Sequence, residues 1–382
     1  MKKRTLLLVL AISSLAILSG MYGERIFRSI LLLTELLNFD KPGWLGKVSP
    51  HPSLKEVSWE GPQGITKADL YLPGPERKRG GILLNHGVID TGKDDPRLKR
   101  LATVLCQAGF TVMVPDLKGM RAFRIAPSDI DEIRTAFTHF VSRPEVRPDS
   151  CGLFGFSYGA GPTIIAACRP EIREKVRFVV SFGGYYDLKN VLSFIASGHF
   201  EFGGKRYFRK PQEYGKWVFL ANNLDWVESP EDRTVLRKIL RVKLRDENAP
   251  IDSFLSQLGG EGRNVLNLLS HADPTQTESF IQRLPPSIRS SMDALDVSPV
   301  LKNLQADLIL AHGEDDDLIP FTETLRLAQA APDPEKVEMR ILKTFSHVDP
   351  EERPVTIRNL YSFYLPEGWK LFCITFRIVA YR

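Results

Sequence analysis

The sequence predicts an α/β fold: a mostly parallel, doubly wound sheet interrupted by an inserted helical segment. Three observations predict it. Short apolar runs alternate with amphipathic helical stretches from about residue 55 to 186. The alternation stops between residues 187 and 298, where helical patterns follow one another. It then resumes from residue 299 towards the C-terminus. Strands covered on both faces of a parallel sheet read as continuous apolar runs, which is the pattern here.

Taken in order, KEVSWE (55–60) and TKADLYLP (66–73) read as two strands around the turn GPQG. GILLNH (81–86) reads as a buried strand, and DPRLKRLATVLCQAGF (95–110) as a helix ending near Gly109. TVMVPD (111–116) is a strand, and PSDIDEIRTAFTHFVSR (127–143) a helix with Ser128 as its cap. CGLFG (151–155), YGAGPTIIAACR (158–169) and RFVVSFGG (177–184) continue as strand, helix, strand. Residues 187–298 lack strong strand signals; DLKNVLSFIASG, PQEYGKWVFLANNL, EDRTVLRKILRVKL, IDSFLSQLG, GRNVLNLLS and TESFIQRL all suggest helices. The segment is too long to be a loop. ADLILAH (306–312), TETLRLAQAA (322–331), VEMRILK (337–343) and RPVTIRNLYSFY (353–364) restore the alternation. The apolar and basic tail GWKLFCITFRIVAYR (368–382) suits a docked helix, a strand or a second membrane contact.

The composition is ordinary for a globular chain, with 43% hydrophobic and 25% charged residues in 382. The formal charge of +5 is small for this length. No basic block is interleaved with aromatics, which argues against nucleic acid as a partner. The four cysteines, Cys106, Cys151, Cys168 and Cys373, are scattered and form no CxxC pair. A disulfide framework and a zinc site are therefore not expected, and the cysteines read as small buried hydrophobes.

The start of the chain is different. A basic Lys2-Lys3-Arg4 precedes an uncharged run from Thr5 to Gly23. That is the layout of a secretory signal or a signal anchor. The run lacks an A-x-A site, which favours an uncleaved anchor over residues 1–23. By the positive-inside rule the catalytic domain is expected on the exported side, or secreted if the signal is cleaved. Residues 24–54 contain an amphipathic helix that either lies on the membrane or packs on the main domain.

Chemistry centres on Gly155-Phe156-Ser157-Tyr158-Gly159. An apolar strand precedes this turn and a small-residue helix follows it. Glycines two before and two after the serine remove Cβ atoms where strand and helix converge. The helix N-terminus favours negative charge developing beside Ser157. A serine hydroxyl needs a base. Of seven histidines, His347 lies in TFSHVDP just after the last strand, at the carboxyl edge shared with Ser157. The acid that orients it is expected from HGEDDDLIP (312–320). Glu314, Asp315, Asp316 and Asp317 are all present there; Asp316 leads, with Asp315 and Asp317 as alternatives. The backbone N–H groups of Tyr158, and of Val88 in NHGVID, are the expected oxyanion donors, with Gly87 letting the chain turn inward.

These segments together resemble the α/β-hydrolase family. The match covers about residues 55–186 and 299–365: the His86-Gly87 turn, the elbow GFSYG, the acid loop HGEDDDLIP and the histidine loop FSHVDP. They occur in the order nucleophile, acid, histidine that the family uses. The family's acid loop often reads G-x-x-D-x-x-[VI]-P, and Gly313, Asp316, Ile319 and Pro320 fit that register. The resemblance thus implies Asp316 as the acid. It also implies a helical cap at residues 187–298. Within the family, the region looks most like the serine esterase and dienelactone-hydrolase-like branch. An HGGG motif is absent, and the nucleophile is serine rather than aspartate or cysteine.

The expectation is a serine hydrolase that cleaves a carboxylic ester, small or lipid-like, through an acyl-enzyme on Ser157. No metal or organic cofactor is expected. A serine peptidase or an acyltransferase would use the same residues, and a catalytically silent binding protein is the rival of another class. The cap aromatics Phe194, Phe200, Phe202, Tyr207 and Trp217 are expected mainly to hold the cap together.

Overall fold

The computed structural model describes residue 20 and residues 22–36, 44–74, 78–271, 273–347, 349–350 and 356–382. Strands β1 (Ser53–Gly61) and β2 (Gly64–Leu72) pair antiparallel around a tight turn. β3 (Arg79–Asn85), β4 (Thr111–Pro115), β5 (Val146–Phe156) and β6 (Val176–Phe182) follow. A separate hairpin, β7 (His199–Phe202) and β8 (Lys205–Phe208), precedes β9 (Asp307–Gly313) and β10 (Val337–Leu342). The main sheet has eight strands in the order β1-β2-β4-β3-β5-β6-β9-β10. From β4 to β10 every pairing is parallel.

The apolar runs work because both faces of the sheet are covered. Leu83, Met113, Leu153, Val179 and Leu310 point to one face. There they meet α3 (Ser128–Val141), α4 (Ala160–Ala167) and α11 (Thr322–Ala330). Their neighbours Ile82, Val112, Phe154, Val180 and Ile309 point to the other face. These meet α1 (22–36), α2 (Pro96–Gln107) and α12 (Leu365–Val379). Successive residues in a strand face opposite ways, so a run without polar interruption is a strand buried twice.

Local chemistry fixes the helix ends. Asp95 accepts hydrogen bonds from the Arg97 and Leu98 N–H groups, and Pro96 opens α2. At α3 the expected cap is not made. The Ser128 hydroxyl instead accepts from Gln63 Nε2 at 2.7 Å, and the Asp129 carboxylate accepts from the Ala126 N–H at 3.1 Å. A carboxylate one residue on reaches the free N–H groups of the entering turn.

Both terminal segments dock on the domain. Leu31 and Leu32 of α1 and Leu371, Ile374 and Ile378 of α12 are buried in one cluster. Arg25 Nε donates to the Phe376 carbonyl at 2.8 Å, and the Thr375 hydroxyl lies 3.3 Å from the Ser29 carbonyl. Among the described residues no helix is long and apolar enough to cross a membrane. Nearly all of the run read as an anchor, residues 1–19 and 21, lies outside the described residues. The four cysteines are free, and burial pushes the thiols of Cys106, Cys151 and Cys168 up to about 12.

Residues 188–295 form a layer over the carboxyl edge of the sheet. Its longer helices are α5 (Leu188–Ser197), α6 (Glu213–Asn222), α7 (Pro230–Lys243), α8 (Gly260–Ser270), α9 (Thr277–Gln282) and α10 (Pro286–Leu295). They share a core around Trp217, Leu236, Ile239, Leu266 and Phe280. The segment is not wholly helical: β7 and β8 pair around Gly203 and Gly204, whose φ angles are +58° and +77°. A Gly-Gly pair between short alternating runs is a hairpin signal, since such tight turns need φ above zero. Phe200 and Tyr207 stack across the hairpin at 5.1 Å and set their edges against Phe321. Arg209 then ties the segment after the hairpin to Asp315 and to the Glu314 carbonyl. Glu323 of α11 accepts from the Tyr186 and Asp187 N–H groups at 3.1 and 2.8 Å, so the entry into α5 is pinned to the sheet domain.

Two glycines in helices have opposite surroundings. A Cβ at Gly161 would lie 2.2 Å from Cζ of the fully buried Tyr185 ring, whereas one at Gly368 would meet nothing within 4 Å. Gly161→Ala is therefore expected to lower the unfolding free energy by about 1–3 kcal/mol through overpacking. Gly368→Ala is expected to raise it by about 0.5–1 kcal/mol through helix propensity. Urea denaturation of both variants checks the pair.

Candidate active site

The site is built at the carboxyl ends of β5, β6 and β9. After β5 the chain turns sharply at Ser157, which has φ +51° and begins the single 3-10 turn Ser157–Gly159 that leads into α4. A left-handed serine costs about 1–3 kcal/mol and persists only where the surroundings impose it. Here they do. A Cβ at Gly155 would lie 2.7 Å from the Ala160 Cα, and one at Gly159 would lie 2.3 Å from the His86 carbonyl oxygen. The two glycines let strand, turn and helix close up around Ser157.

The His86-Gly87-Val88 turn runs directly over this elbow. A Cβ at Gly87 would approach the Ser157 Cβ to 3.1 Å. His86 itself is buried and holds the turn: its Nε2 accepts from the Leu117 N–H at 3.1 Å, which leaves Nδ1–H to donate to the Gly87 carbonyl at 2.7 Å. Burial pushes its pKa down, outweighing the hydrogen bond to Gly87, and keeps the ring neutral. Val88 and Tyr158 line the same cavity as Ser157.

His347 sits at the turn between the two-residue strands Phe345–Ser346 and Asp349–Pro350, with φ +28°. The segment before it crosses the end of β9 so closely that a Cβ at Gly313 would lie 2.4 Å from the Phe345 carbonyl oxygen. The imidazole bridges two groups. Its Nε2 is 2.8 Å from the Ser157 Oγ, and its Nδ1 is 2.6 Å from the Asp316 Oδ2. Nδ1–H donates to the carboxylate, so Nε2 accepts from the serine hydroxyl.

Asp316 is buried, and both of its oxygens are used. Oδ1 accepts from the Leu318 and Ile319 N–H groups, each at 2.8 Å. Oδ2 meets His347 and also His312 Nε2 at 3.1 Å. Burial alone would raise its pKa. The charge of His347 and the hydrogen bonds from His312 and His347 outweigh burial and hold it well below the usual carboxylate range. Its neighbours do other things. Asp315 pairs with Arg209, and Glu314 pairs with Lys343 at 3.7 Å. Burial and the Asp316 charge raise the Asp317 carboxyl, which lines the cavity beneath the cap.

Several supporting residues carry no sequence signal of their own. His312 braces Asp316, and its Nδ1 in turn meets the Thr324 hydroxyl at 2.7 Å. The Tyr158 phenol is buried and donates to Asp129 Oδ2 at 2.9 Å, locking the elbow residue to α3. The remaining histidines lie elsewhere: His51 is exposed before β1, His139 stacks on Trp59, His271 meets Thr277, and His199 is exposed on the cap hairpin.

Two cavities open at Ser157. One, of about 670 Å³, extends under the cap between α5, α6, α8 and α10. The other, of about 500 Å³, extends between the sheet and helices α1, α2 and α12. Among the described residues no group of three His, Cys, Asp or Glu side chains could hold a metal ion.

No protein-family profile matches the chain. Two curated proteins of Mycobacterium tuberculosis strains, each named "Putative phosphoribosyl transferase", are 30% identical over 143 residues, or 36% of this chain and 32% of theirs. The matched region thus spans about a third of the length of those relatives. Among solved structures, an acylaminoacyl peptidase of Pyrococcus horikoshii is similar at 14% identity and a TM-score of 0.49, over 88% of this chain and 41% of that one. A dienelactone hydrolase of Anabaena variabilis is similar at 16% identity and 0.42, over 78% and 89%. The α/β hydrolase GrgF of Penicillium is similar at 16% identity and 0.46, over 86% and 99%.

Burial of Asp129 is expected to make stability depend on pH. Burial lifts the Asp129 carboxyl from 3.8 to about 6, despite its hydrogen bonds from Ala126 and Tyr158. A carboxyl raised on folding favours the folded state at low pH and loses that contribution as pH rises through the folded value. Between about pH 4 and 6 the wild type should lose about 3 kcal/mol on this account. Asp129→Asn keeps the oxygen acceptor and does not titrate, so its stability should fall less over that range. Denaturant unfolding at a series of pH values checks this.

Proposed function

We propose that this chain, which has the α/β-hydrolase fold, is a serine hydrolase that cleaves carboxylic esters. The observation that carries the reading is the unbroken chain of contacts from Ser157 Oγ through His347 to Asp316, at 2.8 and 2.6 Å. A hydroxyl, a base within hydrogen-bond reach and a buried carboxylate that orients the base form the arrangement used for acyl transfer.

The Ser157 Oγ attacks the ester carbonyl carbon as its proton passes to His347 Nε2. The carbonyl oxygen becomes an oxyanion facing the N–H groups of Val88 and Tyr158. The carbon–oxygen bond to the alcohol then breaks, and Nε2–H gives its proton to the departing oxygen. Water repeats the sequence on the acyl-enzyme: its proton goes to Nε2, its oxygen bonds to the carbonyl carbon, and Ser157 leaves with the proton. Asp316 stays ionised throughout and stabilises the imidazolium.

An ester is favoured over a charged or strongly polar substrate by the walls of the cavity under the cap. Leu188, Val191, Ile195, Phe219 and Leu268 line it around Ser157. A pocket with few polar groups binds by apolar burial. The N-terminal run read as an anchor would bring such a site to a lipid surface, which suits a lipid-like ester.

A fluorophosphonate should label Ser157 in the folded protein, and nitrophenyl esters should be cleaved well ahead of peptide anilides. Ser157→Ala and His347→Ala should each lower kcat by about 10⁴–10⁶-fold with little change in unfolding. Asp316→Ala should follow, whereas Asp315→Ala should stay within a few-fold of wild type. Failure to label Ser157, or a tenth of wild-type turnover in Ser157→Ala or His347→Ala, would overturn the reading.

A further inference from the structure

We infer that the substrate carries apolar chains on both sides of the scissile bond, the acyl chain under the cap and the alcohol chain in the second cavity. The inference rests on the serine-hydrolase reading above and names the substrate class for that site.

The two cavities share part of their walls. Val88, Ser157 and Leu318 line both, so the two meet at the proposed nucleophile and oxyanion turn. An ester carbonyl has three directions to satisfy. Its oxygen faces the N–H donors, and its acyl and alcohol groups must leave the reacting carbon by different routes. Two routes exist here, and both are apolar. The first runs between Leu192, Phe219, Leu268 and Ile288 of the cap. The second runs between Leu36 of α1, Leu101 of α2 and Leu371 and Ile374 of α12, with Phe182 on the sheet side.

The position of His347 decides which arm goes where. It lines the second cavity and not the first. The general acid must stand beside the departing oxygen, so the alcohol leaves on the His347 side, into the second cavity. The acyl chain then takes the cap cavity, where the Tyr158 wall continues beyond Ser157. Polar groups in the second cavity are engaged elsewhere: Asp95 pairs with Arg97 at 3.1 Å, and the Thr375 hydroxyl bonds to backbone carbonyls. That leaves an alkyl alcohol, rather than a sugar or a charged head group, as the leaving group that fits. Acylation forms the bond from Ser157 Oγ to the carbonyl carbon, breaks the bond from that carbon to the alkyl oxygen, and returns the serine proton to that oxygen through Nε2. A second alkyl alcohol in the vacated cavity would accept the acyl group in place of water.

The test uses the full chain and two ester series: dodecanoate esters of methanol, butanol, octanol and dodecanol, and dodecyl esters of acids of the same lengths. For wild type, kcat/KM is expected to rise in both series, by up to about fourfold per methylene buried. Leu36→Trp, in the wall of the second cavity, should cut the octyl-to-methyl ratio about tenfold in the alcohol series and leave the acyl-series ratio within twofold. Leu192→Trp should do the reverse. The wild-type series stands even if a variant does not fold. If Ser157 is labelled and esters are cleaved but kcat/KM ignores alcohol length, the inference is overturned and the hydrolase reading stands. The inference is also overturned if Leu36→Trp alters acyl preference instead. If Ser157 is not labelled and no ester is cleaved, both are overturned.

Discussion

The left-handed backbone at Ser157 is the constraint on which the rest of the structure depends. A serine at φ +51° is unfavourable in isolation. It is held because three backbone segments meet there without side chains between them: Gly155 against Ala160, Gly159 against the His86 carbonyl, and Gly87 against Ser157 itself. At Gly155 and Gly159 a Cβ would collide with backbone, and at Gly87 it would press tightly on Ser157. The Oγ consequently projects from the end of the sheet, while the N–H groups that begin α4 point the same way. The buried Tyr158 phenol, bonded to Asp129, keeps the turn from relaxing.

The partners of Ser157 are positioned by equally specific packing. His347 is also left-handed, at φ +28°, and its loop is seated on Gly313 at the end of β9. Asp316 belongs to the loop that leaves the same strand, so acid and histidine are fixed relative to one another through a shared strand end. Two backbone N–H groups and two imidazoles converge on the Asp316 carboxylate. Such a group is too well satisfied to move. The cap docks onto the same loop through Arg209 and through the bond from the Gln212 N–H to the Asp317 carbonyl at 3.1 Å. Cap position and acid position are therefore mechanically linked.

The sheet is legible in the sequence because its strands are buried twice. Uninterrupted apolar runs such as ILL in β3 and FVV in β6 are too short for a buried helix and too apolar for a loop. The turn at Ser157 is legible because glycine spacing records close backbone approach. What stays hidden depends on how the chain folds back on itself, which no local pattern records. The Tyr158–Asp129 bond joins residues 29 apart, and the brace from His312 to Asp316 needs a loop that folds back on its own strand. Ser128 reads as a cap because serine commonly is one, but Asp129 has the better reach. The β7–β8 hairpin is concealed within a helical stretch, although Gly203-Gly204 marks its turn. The second cavity exists only because both terminal helices fold back over the sheet, which no local pattern in either helix encodes.

The central claim is that Ser157 is held for attack between an oxyanion turn and His347, with an apolar channel on either side. A crystal structure of the chain reacted with an alkyl fluorophosphonate tests it most directly. The expected result is phosphorus bonded to Ser157 Oγ, the phosphoryl oxygen about 2.7–3.1 Å from the N–H groups of Val88 and Tyr158, and the alkyl chain in a cavity that opens at Ser157. Phosphorus on another residue, or a phosphoryl oxygen turned away from both N–H groups, would contradict it.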